Sequence, residues 1–368
     1  MKKSAKVLSI ILALVMILSA IPMAAFAADG DFITNEIGVL TRYVGAGGDI
    51  VIPDGVTAIG DGAFYGNTSI TSVKFPSSVK TIGYGAFRDC TNLQTVIFSE
   101  GLELLDEEAF EWCSNIQSLE LPSSLRTIKR NAIYGIDGIK TLEIPEGVTT
   151  IENLALGSLC YLESISFPAS ATSIGFDLFS DCERLTSVTV DPDNPVYDSR
   201  DNCNAIIETA TNKLVDGCIS TVIPDSVTSI GPLSFTQMTG LESITIPDSV
   251  TSIGPSAFQY CYFLKSITIP DSVTSIGMGA FAYADQLTSV TLHDGITSIG
   301  DGAFDNYGNL KTVYYPCDDN VETIKGFMSP HGTFTYTPVH DVVTFTDNGD
   351  GTHTGFCACG SFETEKEA

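Results

Sequence analysis

The nonapeptide Ile-Pro-Asp-Ser-Val-Thr-Ser-Ile-Gly (IPDSVTSIG) occurs three times, at residues 223–231, 246–254 and 269–277. Successive copies begin 23 residues apart. A fixed period of this length is typical of a stacked repeat protein, in which each repeat buries its apolar side chains against its neighbours. The nonapeptide therefore predicts a solenoid.

Alignment on the proline of the nonapeptide extends the repeat to ten copies. The aligned residues are Pro53, Pro76, Ser99, Pro122, Pro145, Pro168, Pro224, Pro247, Pro270 and His293. Two apolar columns follow each of them. An Ala-Phe pair and a leucine recur further on, with Ala132-Ile133 and Ala155-Leu156 where the pair has drifted, and residues 241–247 (LESITIP) exemplify the predicted strand. The pattern predicts an α/β repeat solenoid of ten coils of about 23 residues, with a parallel β-sheet on one face and short turns or single helical turns on the other.

Two further columns of the repeat alignment predict local structure. A glycine follows the last isoleucine of the nonapeptide, as in Gly231 and Gly254, and predicts a turn with positive φ. Another column alternates cysteine with apolar residues and is therefore interpreted as buried core. Its cysteines are Cys90, Cys113, Cys182 and Cys261.

The full pattern, IPDSVTSIG-x-x-AF-x-x-C-x-x-L-x-S-V-x-IP, resembles the BspA-like leucine-rich repeats (LRR_5 type) of bacterial surface proteins. The resemblance covers residues 50–316. It implies a leucine-rich-repeat solenoid, an extracellular location, and a role in adhesion or protein binding. It supplies no catalytic residues to carry over.

Residues 1–27 have the three parts of a secretory signal peptide. Lys2, Lys3 and Lys6 precede an apolar run, and Ala25-Phe26-Ala27 supplies the small residues of a cleavage site. We therefore expect a secreted or cell-surface protein without membrane insertion after cleavage. The remaining chain divides into an N-terminal cap (28–49), six coils (50–190), an insertion (191–223), four coils (224–316), a C-terminal cap (317–339) and a small tail module (340–368).

The insertion at residues 191–223 interrupts the period and predicts a β-hairpin. Two short apolar runs, 205–209 and 213–215, flank a polar linker suited to a tight turn. Cys203 and Cys218 lie at mirrored positions on its arms. A disulfide across the hairpin and a pair of free thiols both fit this spacing.

The tail module contains the side chains of a candidate metal site. His340, His353, Cys357 and Cys359 are potential zinc ligands. The Cys-x-Cys spacing is tight for tetrahedral zinc, however, so a module stabilised by turns or a disulfide is the preferred alternative. No cofactor is predicted.

Charge and missing motifs exclude several classes of function. Lys and Arg number 18 against 45 Asp and Glu, and the formal net charge of −27 disfavours nucleic acid and anionic lipid as partners. The sequence contains no nucleophile elbow, zinc-protease, phosphate-loop or dinucleotide motif. We therefore expect a protein that is not an enzyme.

The candidate binding residues fall in two groups. The first occupies one outward column of the predicted strands: Lys74, Glu120, Glu143, Thr245, Thr268, Thr291 and Tyr314. Hydroxyl side chains in this column are equally explained by their tolerance of an exposed sheet. The second group is Trp112 and Tyr134, which lie in turns of the irregular coils at 99–167 and belong to residue types enriched in binding hot spots.

Three hypotheses for function follow. The first is a secreted or surface-displayed repeat protein that binds an extracellular protein or glycan. The second is a rigid stalk without binding of its own. The third is a non-catalytic accessory region of a larger surface enzyme.

Overall fold

The computed structural model describes residues 29–306, 308–316, 321–328, 335–339, 344–347, 352–357 and 360–365. They form a β-solenoid of about 12 turns, built from parallel sheets. The predicted signal peptide at 1–27 lies outside the described residues. In the part of the chain that the structure describes, no helix is long and apolar enough to cross a membrane.

A ladder of short parallel strands is formed by the Thr-Ser-Ile part of each repeat. Its two sheets hold twelve rungs, ten from the repeats and one each from the N-terminal cap and the insertion. The rungs are β2 (Val39–Tyr43), β4 (Ala58–Ile59), β6 (Thr81–Ile82), β8 (Leu104–Leu105), β9 (Thr127–Ile128), β11 (Thr150–Ile151), β13 (Ser173–Ile174), β17 (Lys213–Gly217), β18 (Ser229–Ile230), β19 (Ser252–Ile253), β21 (Ser275–Ile276) and β23 (Ser298–Ile299). Strand β1 (Phe32–Thr34) pairs antiparallel with β2 and covers the first rung.

The predicted strands form a second parallel system, which we call the front sheet. It consists of three separate pieces. The strands are β3 (Gly48–Val51), β5 (Ile70–Lys74) and β7 (Thr95–Ile97); β10 (Thr141–Glu143), β12 (Ser164–Phe167) and β14 (Ser187–Val190); and β20 (Ser266–Thr268), β22 (Ser289–Thr291), β24 (Thr312–Pro316) and β25 (Thr335–Val339). The prediction of a strand at residues 241–247 was wrong, because that segment and residues 117–121 belong to no strand.

The insertion contains an antiparallel hairpin that joins the ladder. Strand β15 (Tyr197–Asp198) pairs with β16 (Ala205–Glu208), and β16 pairs with β17. Leu214 of β17 then pairs in parallel with Ile230 of β18. The second arm of the hairpin therefore takes the place of a rung.

Few of the described residues are helical, so the α/β description and the single helical turns are not confirmed. Short 3-10 turns occupy Asp29–Asp31 and Arg200–Asn202, and the α-helix α1 spans Val321–Met328. A separate antiparallel sheet contains β26 (Thr344–Asp347), β27 (Thr352–Cys357) and β28 (Gly360–Glu365).

The Ala-Phe segment is a hydrogen-bonded turn in place of a helical turn. Its N–H groups alternate between two kinds of acceptor: Phe64 N–H donates to Ala86 O in the next coil (2.8 Å), whereas Tyr65 N–H donates to Gly62 O in the same turn (3.0 Å). Residues on either side of the Ala-Phe pair are left-handed, with φ between 53° and 72°. They are Gly62, Gly85, Glu108, Asn131, Leu154, Asp177, Leu233, Ser256, Gly279 and Gly302 before it, and Gly66, Asp89, Trp112, Gly135, Ser158, Asp181, Gln237, Tyr260 and Tyr283 after it.

Where consecutive coils both have the phenylalanine, its ring stacks on its counterpart in the next coil. The ring centroid of Phe258 lies 5.0 Å from that of Phe235 and 5.2 Å from that of Phe281, and the rings are nearly parallel. Such pairs contribute about 0.5–1.5 kcal/mol beyond the burial of their area. Where the pair has drifted, Ile133 and Leu156 fill the same buried positions.

The repeated glycine after the isoleucine is needed for close approach and not for positive φ. Gly254 has an ordinary φ, but a Cβ there would lie 2.6 Å from the carbonyl carbon of Gly231 in the preceding coil. At Gly277 the distance to Pro255 N would be 2.4 Å. The predicted positive φ was therefore wrong at this column; the left-handed residues flank the Ala-Phe pair instead.

Candidate functional site

The outward residues of the front sheet lie on segments of two kinds. Lys74, Glu143 and Thr268 are exposed on strands β5, β10 and β20, while Thr291 of β22 and Tyr314 of β24 are half-buried. Glu120 and Thr245 are exposed, but they lie in the two segments where the front sheet is interrupted.

Three of the predicted threonines line one groove. Thr245, Thr268 and Thr291 border an open cavity of about 850 Å³, which we call the front groove. Its remaining lining residues are Ser243, Ile244, Ile246, Asp248, Ser266, Ile269, Pro270, Asp271, Ser272, Leu292 and His293. A second cavity of about 580 Å³ shares residues 243–246 and Asp248 with it and extends to Thr221, Val222 and Asp225.

His293 is the one lining residue of the front groove that the repeat does not predict, since it replaces proline. Its side chain is 4% exposed, and its Nδ1 accepts a hydrogen bond from the N–H of Gly295 at 3.1 Å. The ring proton of the neutral imidazole is therefore on Nε2, which is buried and has no hydrogen-bond partner among the residues that the structure describes. A buried donor without an acceptor costs about 1–3 kcal/mol, so a ligand acceptor at this position would be stabilising.

Trp112 and Tyr134 are in contact, as their positions in adjacent coils allow. Their ring centroids are 5.2 Å apart in an edge-to-face arrangement. Trp112 is 41% exposed and lies over Gly135, where a Cβ would come within 2.5 Å of the indole. Burial raises the pKa of the Tyr134 phenol, and the nearby carboxylate of Asp181 raises it further.

A second aromatic cluster, which the sequence pattern did not predict, lies in the regular coils. The rings of Tyr260 and Tyr283 stack at 4.9 Å, and Tyr262 lies 5.9 Å from Tyr260. Phe263 next to it is 47% exposed. Like Trp112, Tyr260 and Tyr283 are left-handed residues in a column that elsewhere contains Gly, Asp, Ser and Gln. Only the structure shows that these aromatics share a conformational column.

Ion pairs between coils explain part of the departure from the repeat sequence in the irregular coils. Arg88 contacts Glu108 and also Glu111, whose Oε2 lies 3.0 Å from the Arg88 Nε. Lys129 pairs with Asp106 at 2.9 Å, at the two positions where the regular coils have the close-approach glycine. Burial raises the pKa of Glu111, against the opposing effect of Arg88. Charge pairing between neighbours thus replaces repeat residues in this region.

Carboxylates are buried where the sixth coil meets the hairpin. Asp216 of β17 is 1% exposed, and its Oδ2 accepts a hydrogen bond from Leu178 N–H at 2.6 Å. Burial raises the pKa of Asp216 well above its usual value, and it raises the pKa of Asp177 to about 7. These groups fix the hairpin to the sixth coil and lie away from any open groove described above.

The cysteines of the hairpin and of the core column are free thiols. Cys203 and Cys218 are both buried and unpaired, so the disulfide considered for the hairpin is not present. Burial raises the pKa of Cys203 to about 11 and that of Cys261 to about 12. Cys90 donates to Phe64 O at 3.1 Å, and Cys261 donates likewise to Phe235 O, as expected of a buried core column.

The candidate zinc ligands lie largely outside the described residues. His340 and Cys359 are outside them, and of the strand that contains His353 and Cys357 only the backbone is described. Among the residues whose side chains the structure describes, no group of three or more His, Cys, Asp or Glu is arranged to hold a metal ion. The zinc hypothesis therefore stays a prediction.

Solved structures of repeat proteins resemble this chain. A leucine-rich cell surface protein from Faecalibacterium prausnitzii is 28% identical with a TM-score of 0.60, over 86% of this chain and 96% of that one. The pneumococcal vaccine antigen PcpA is 21% identical with a TM-score of 0.60, over 84% and 95%. A leucine-rich repeat protein from Eubacterium ventriosum is 21% identical with a TM-score of 0.54, over 83% and 81%. At 21% identity the last two establish the fold alone.

No curated protein matches this sequence. A family of repeats does match it. The BspA type leucine rich repeat region matches in six copies at residues 47–159, 157–200 and 213–328, which is more than half of the chain. Both the repeat pattern and the solenoid described above agree with this match, and the chain belongs to the BspA-type leucine-rich repeat family.

Proposed function

We propose that this protein is a secreted or surface-displayed binding protein that adheres to an extracellular protein or glycan through its solenoid. The observation that carries the proposal is the conformation of Trp112. It is a large side chain, 41% exposed, at φ 59° in a column where the preceding coil has Asp89 and the following coil has Gly135.

Left-handed backbone at a bulky residue costs about 1–3 kcal/mol. Burial does not fully offset this cost at Trp112, since much of the indole remains in contact with solvent. Strain of this kind is characteristic of sites that contact a ligand, and exposed tryptophan is the residue type most enriched in binding hot spots. The contact with Tyr134 holds the indole in one orientation, which lowers the entropy lost on binding.

Family membership and charge support the rest of the proposal. The related Faecalibacterium protein is a cell surface protein, and this is the location we propose here. The net charge of −27 favours a protein or glycan over nucleic acid or an anionic membrane as the partner. In this proposal the chain binds without catalysing a reaction.

The test is binding of the purified chain to arrays of extracellular matrix proteins and glycans, with Trp112→Gly as the variant. Glycine suits the left-handed backbone, so we expect the free energy of unfolding to change by less than about 1 kcal/mol. Affinity should fall about tenfold or more, as at a hot spot. Tyr65→Ala is the matched control, since Tyr65 is 61% exposed and is not left-handed.

Two results would contradict the proposal. If the wild-type chain bound nothing on either array, the rigid-stalk hypothesis would be preferred. If Trp112→Gly and Tyr65→Ala reduced affinity equally, binding would not depend on the strained tryptophan.

A further inference from the structure

The sixth coil contacts the inserted hairpin without main-chain hydrogen bonds. Between regular coils such bonds recur, as where Gly254 N–H donates to Ile230 O at 2.8 Å. Residues 29–190 and residues 197–306 are described throughout, and no main-chain hydrogen bond joins the first range to the second. We call these ranges the N-terminal block and the C-terminal block, and the contact between the sixth coil and the hairpin the seam.

Side chains supply the hydrogen bonds of the seam instead. In the ladder, Ile174 O accepts from the hydroxyl group of Tyr197 at 3.4 Å, whereas the equivalent carbonyl of a regular coil accepts from the glycine N–H of the next coil. In the front sheet, Val190 N–H donates to Ser199 Oγ at 3.0 Å, whereas the equivalent N–H of a regular coil donates to a main-chain carbonyl. The seam therefore depends on side chains at positions where the solenoid otherwise uses its backbone.

Two core positions of the repeat change character at the seam. Gly217 N–H donates to Ser234 O at 2.9 Å, which is the bond that the phenylalanine of an Ala-Phe pair donates in a regular coil. Gly217 thus occupies the phenylalanine position, and Asp216 occupies the alanine position. The stack of phenylalanine rings consequently has no ring at the hairpin, between Phe179 and Phe235. A carboxyl group and a missing ring replace apolar contacts there.

Carboxyl groups without cations are buried at the seam. Asp216 is 1% exposed, and its Oδ2 accepts from Leu178 N–H at 2.6 Å, next to Asp177 in the turn of the sixth coil. Among the described residues, neither Asp177 nor Asp216 takes part in an ion pair. The other titratable groups that act on this pair are Asp181, Tyr134, Cys182 and Cys218. None of them is a cation at neutral pH, so nothing there compensates a negative charge.

The stability of the seam accordingly falls as the pH rises. Burial raises the pKa of Asp177 to about 7 and that of Asp216 well above its usual value, whereas an unfolded aspartate titrates near about 3.9. The contribution of Asp177 is therefore complete below pH ~4 and is lost as the pH rises to ~7. The stability of a repeat protein depends on the contacts between neighbouring repeats, so a weakened contact uncouples the repeats on its two sides.

We infer that the seam is a pH-sensitive joint: in acid the two blocks unfold as one cooperative unit, and near pH 8 they unfold as two. Ionised carboxyl groups are stabilised by water, so they favour opening of the seam. The coils within each block keep their main-chain hydrogen bonds, so neither block unfolds when the seam opens. The inference concerns the scaffold and does not depend on the function proposed for Trp112.

The test is urea unfolding of the full chain at pH 5 and pH 8, observed separately in each block. Trp112 is the single tryptophan of the sequence, so its fluorescence reports the N-terminal block. Pulsed hydrogen exchange of strands β19 and β21, read by mass spectrometry, reports the C-terminal block. We expect the two midpoints to coincide at pH 5 and to differ at pH 8. Coincident midpoints at pH 8 would overturn the joint, and different midpoints at both pH values would overturn its dependence on protonation.

A substitution at the seam assigns the effect to one carboxyl group. Asp177→Asn cannot ionise, so the midpoints of the two blocks should coincide at pH 8 as they do at pH 5. Asp248→Asn is the matched control, because it removes one negative charge at an exposed turn, and it should leave the midpoints apart at pH 8. Equal behaviour of the two variants would overturn the part assigned to Asp177.

Hydrogen exchange of the unsubstituted chain tests the joint at single residues. After correction for the intrinsic exchange rate at each pH, protection of the Leu178 amide should fall at least about tenfold between pH 5 and pH 7.5. Protection of the Gly254 amide, which bonds to Ile230 O within the C-terminal block, should change less than about twofold. An equal change at the two amides would show a general loss of stability and overturn the inference.

Discussion

The two copies of Ser-Ile-Thr-Ile-Pro, at residues 243–247 and 266–270, have the same sequence and different structures. The second copy forms β20 beside β22, and its Ile267 is 3% exposed. In the first copy Ile244 is only partly buried, and the coil before it follows the inserted hairpin and contributes no front strand. The comparison teaches that the same pentapeptide forms a strand in one coil and not in the coil before it, so its own sequence does not determine whether the strand forms.

Truncation of the matching isoleucines tests this comparison with the largest expected effect. Ile267→Ala should lower the free energy of unfolding by about 3 kcal/mol, because it leaves a cavity between packed coils. Ile244→Ala should lower it by about 1 kcal/mol, because less apolar surface is buried there. Urea unfolding of both variants provides the measurement, and equal losses would contradict the difference between the two copies.

The pKa of the Asp177 carboxyl group tests whether the junction between the sixth coil and the hairpin differs in environment from an exposed turn. The folded protein favours the protonated acid, with a pKa of about 7, whereas an unfolded aspartate titrates near about 3.9. Stability from this group is therefore complete below pH ~4 and is lost as the pH rises through ~7.

Asp177→Asn should accordingly raise the free energy of unfolding at pH 8 by about 2 kcal/mol and change it little at pH 4. Chemical denaturation at several pH values measures the effect. Asp248→Asn, at an exposed turn, is the control for a general reduction of negative charge. A gain that is the same at pH 4 and pH 8 would show that titration of Asp177 is not its cause.

Ion pairs distinguish the irregular coils from the regular ones. Arg88→Met should cost about 1.5 kcal/mol, because it leaves the buried carboxylate of Glu111 without its cation. Lys265→Met should cost less than about 0.5 kcal/mol, because Lys265 and Glu242 are both well exposed. Thermal unfolding compares the two, and a larger loss for Lys265→Met would refute the assignment of the stabilising pairs to the irregular coils.

Substitutions to glycine in the left-handed columns have the smallest expected effect on the free energy of unfolding. Ser256 has φ 54°, at a position where the next coil has Gly279, so Ser256→Gly should raise the free energy of unfolding by about 0.5 kcal/mol. Ser252→Gly, in the short strand β19, should lower it by about 0.5–1 kcal/mol. Opposite signs are expected in the same unfolding assay; a loss for Ser256→Gly would contradict the role assigned to that column.

The repeat period and the buried columns could be predicted because stacking repeats the same contacts in every coil. The buried Cys column and the Ala-Phe core follow from apolar periodicity alone, and both are present. Two-residue strands such as Ser229–Ile230 could not be predicted, since strands so short leave no alternation in the sequence. The close approach at Gly254 was missed because glycine serves positive φ and tight packing equally well.

The candidate site was predictable residue by residue but not as an arrangement. Thr245, Thr268 and Thr291 are evident from their column, whereas the groove that they share is formed across three successive coils and has no signature in the sequence. The strain at Trp112 was hidden for a related reason, because its column contains Gly, Asp, Ser, Gln and Tyr and so has no residue signature.

Strand β17 has a consequence for how the chain tolerates added sequence. Because the second arm of the hairpin serves as a rung, the ladder continues through β18 after 33 extra residues. The turn of the hairpin at residues 209–211 is exposed, so it has room for foreign segments. The hairpin turn is thus an insertion site, at which a peptide could be grafted onto the protein without removing a coil from the solenoid.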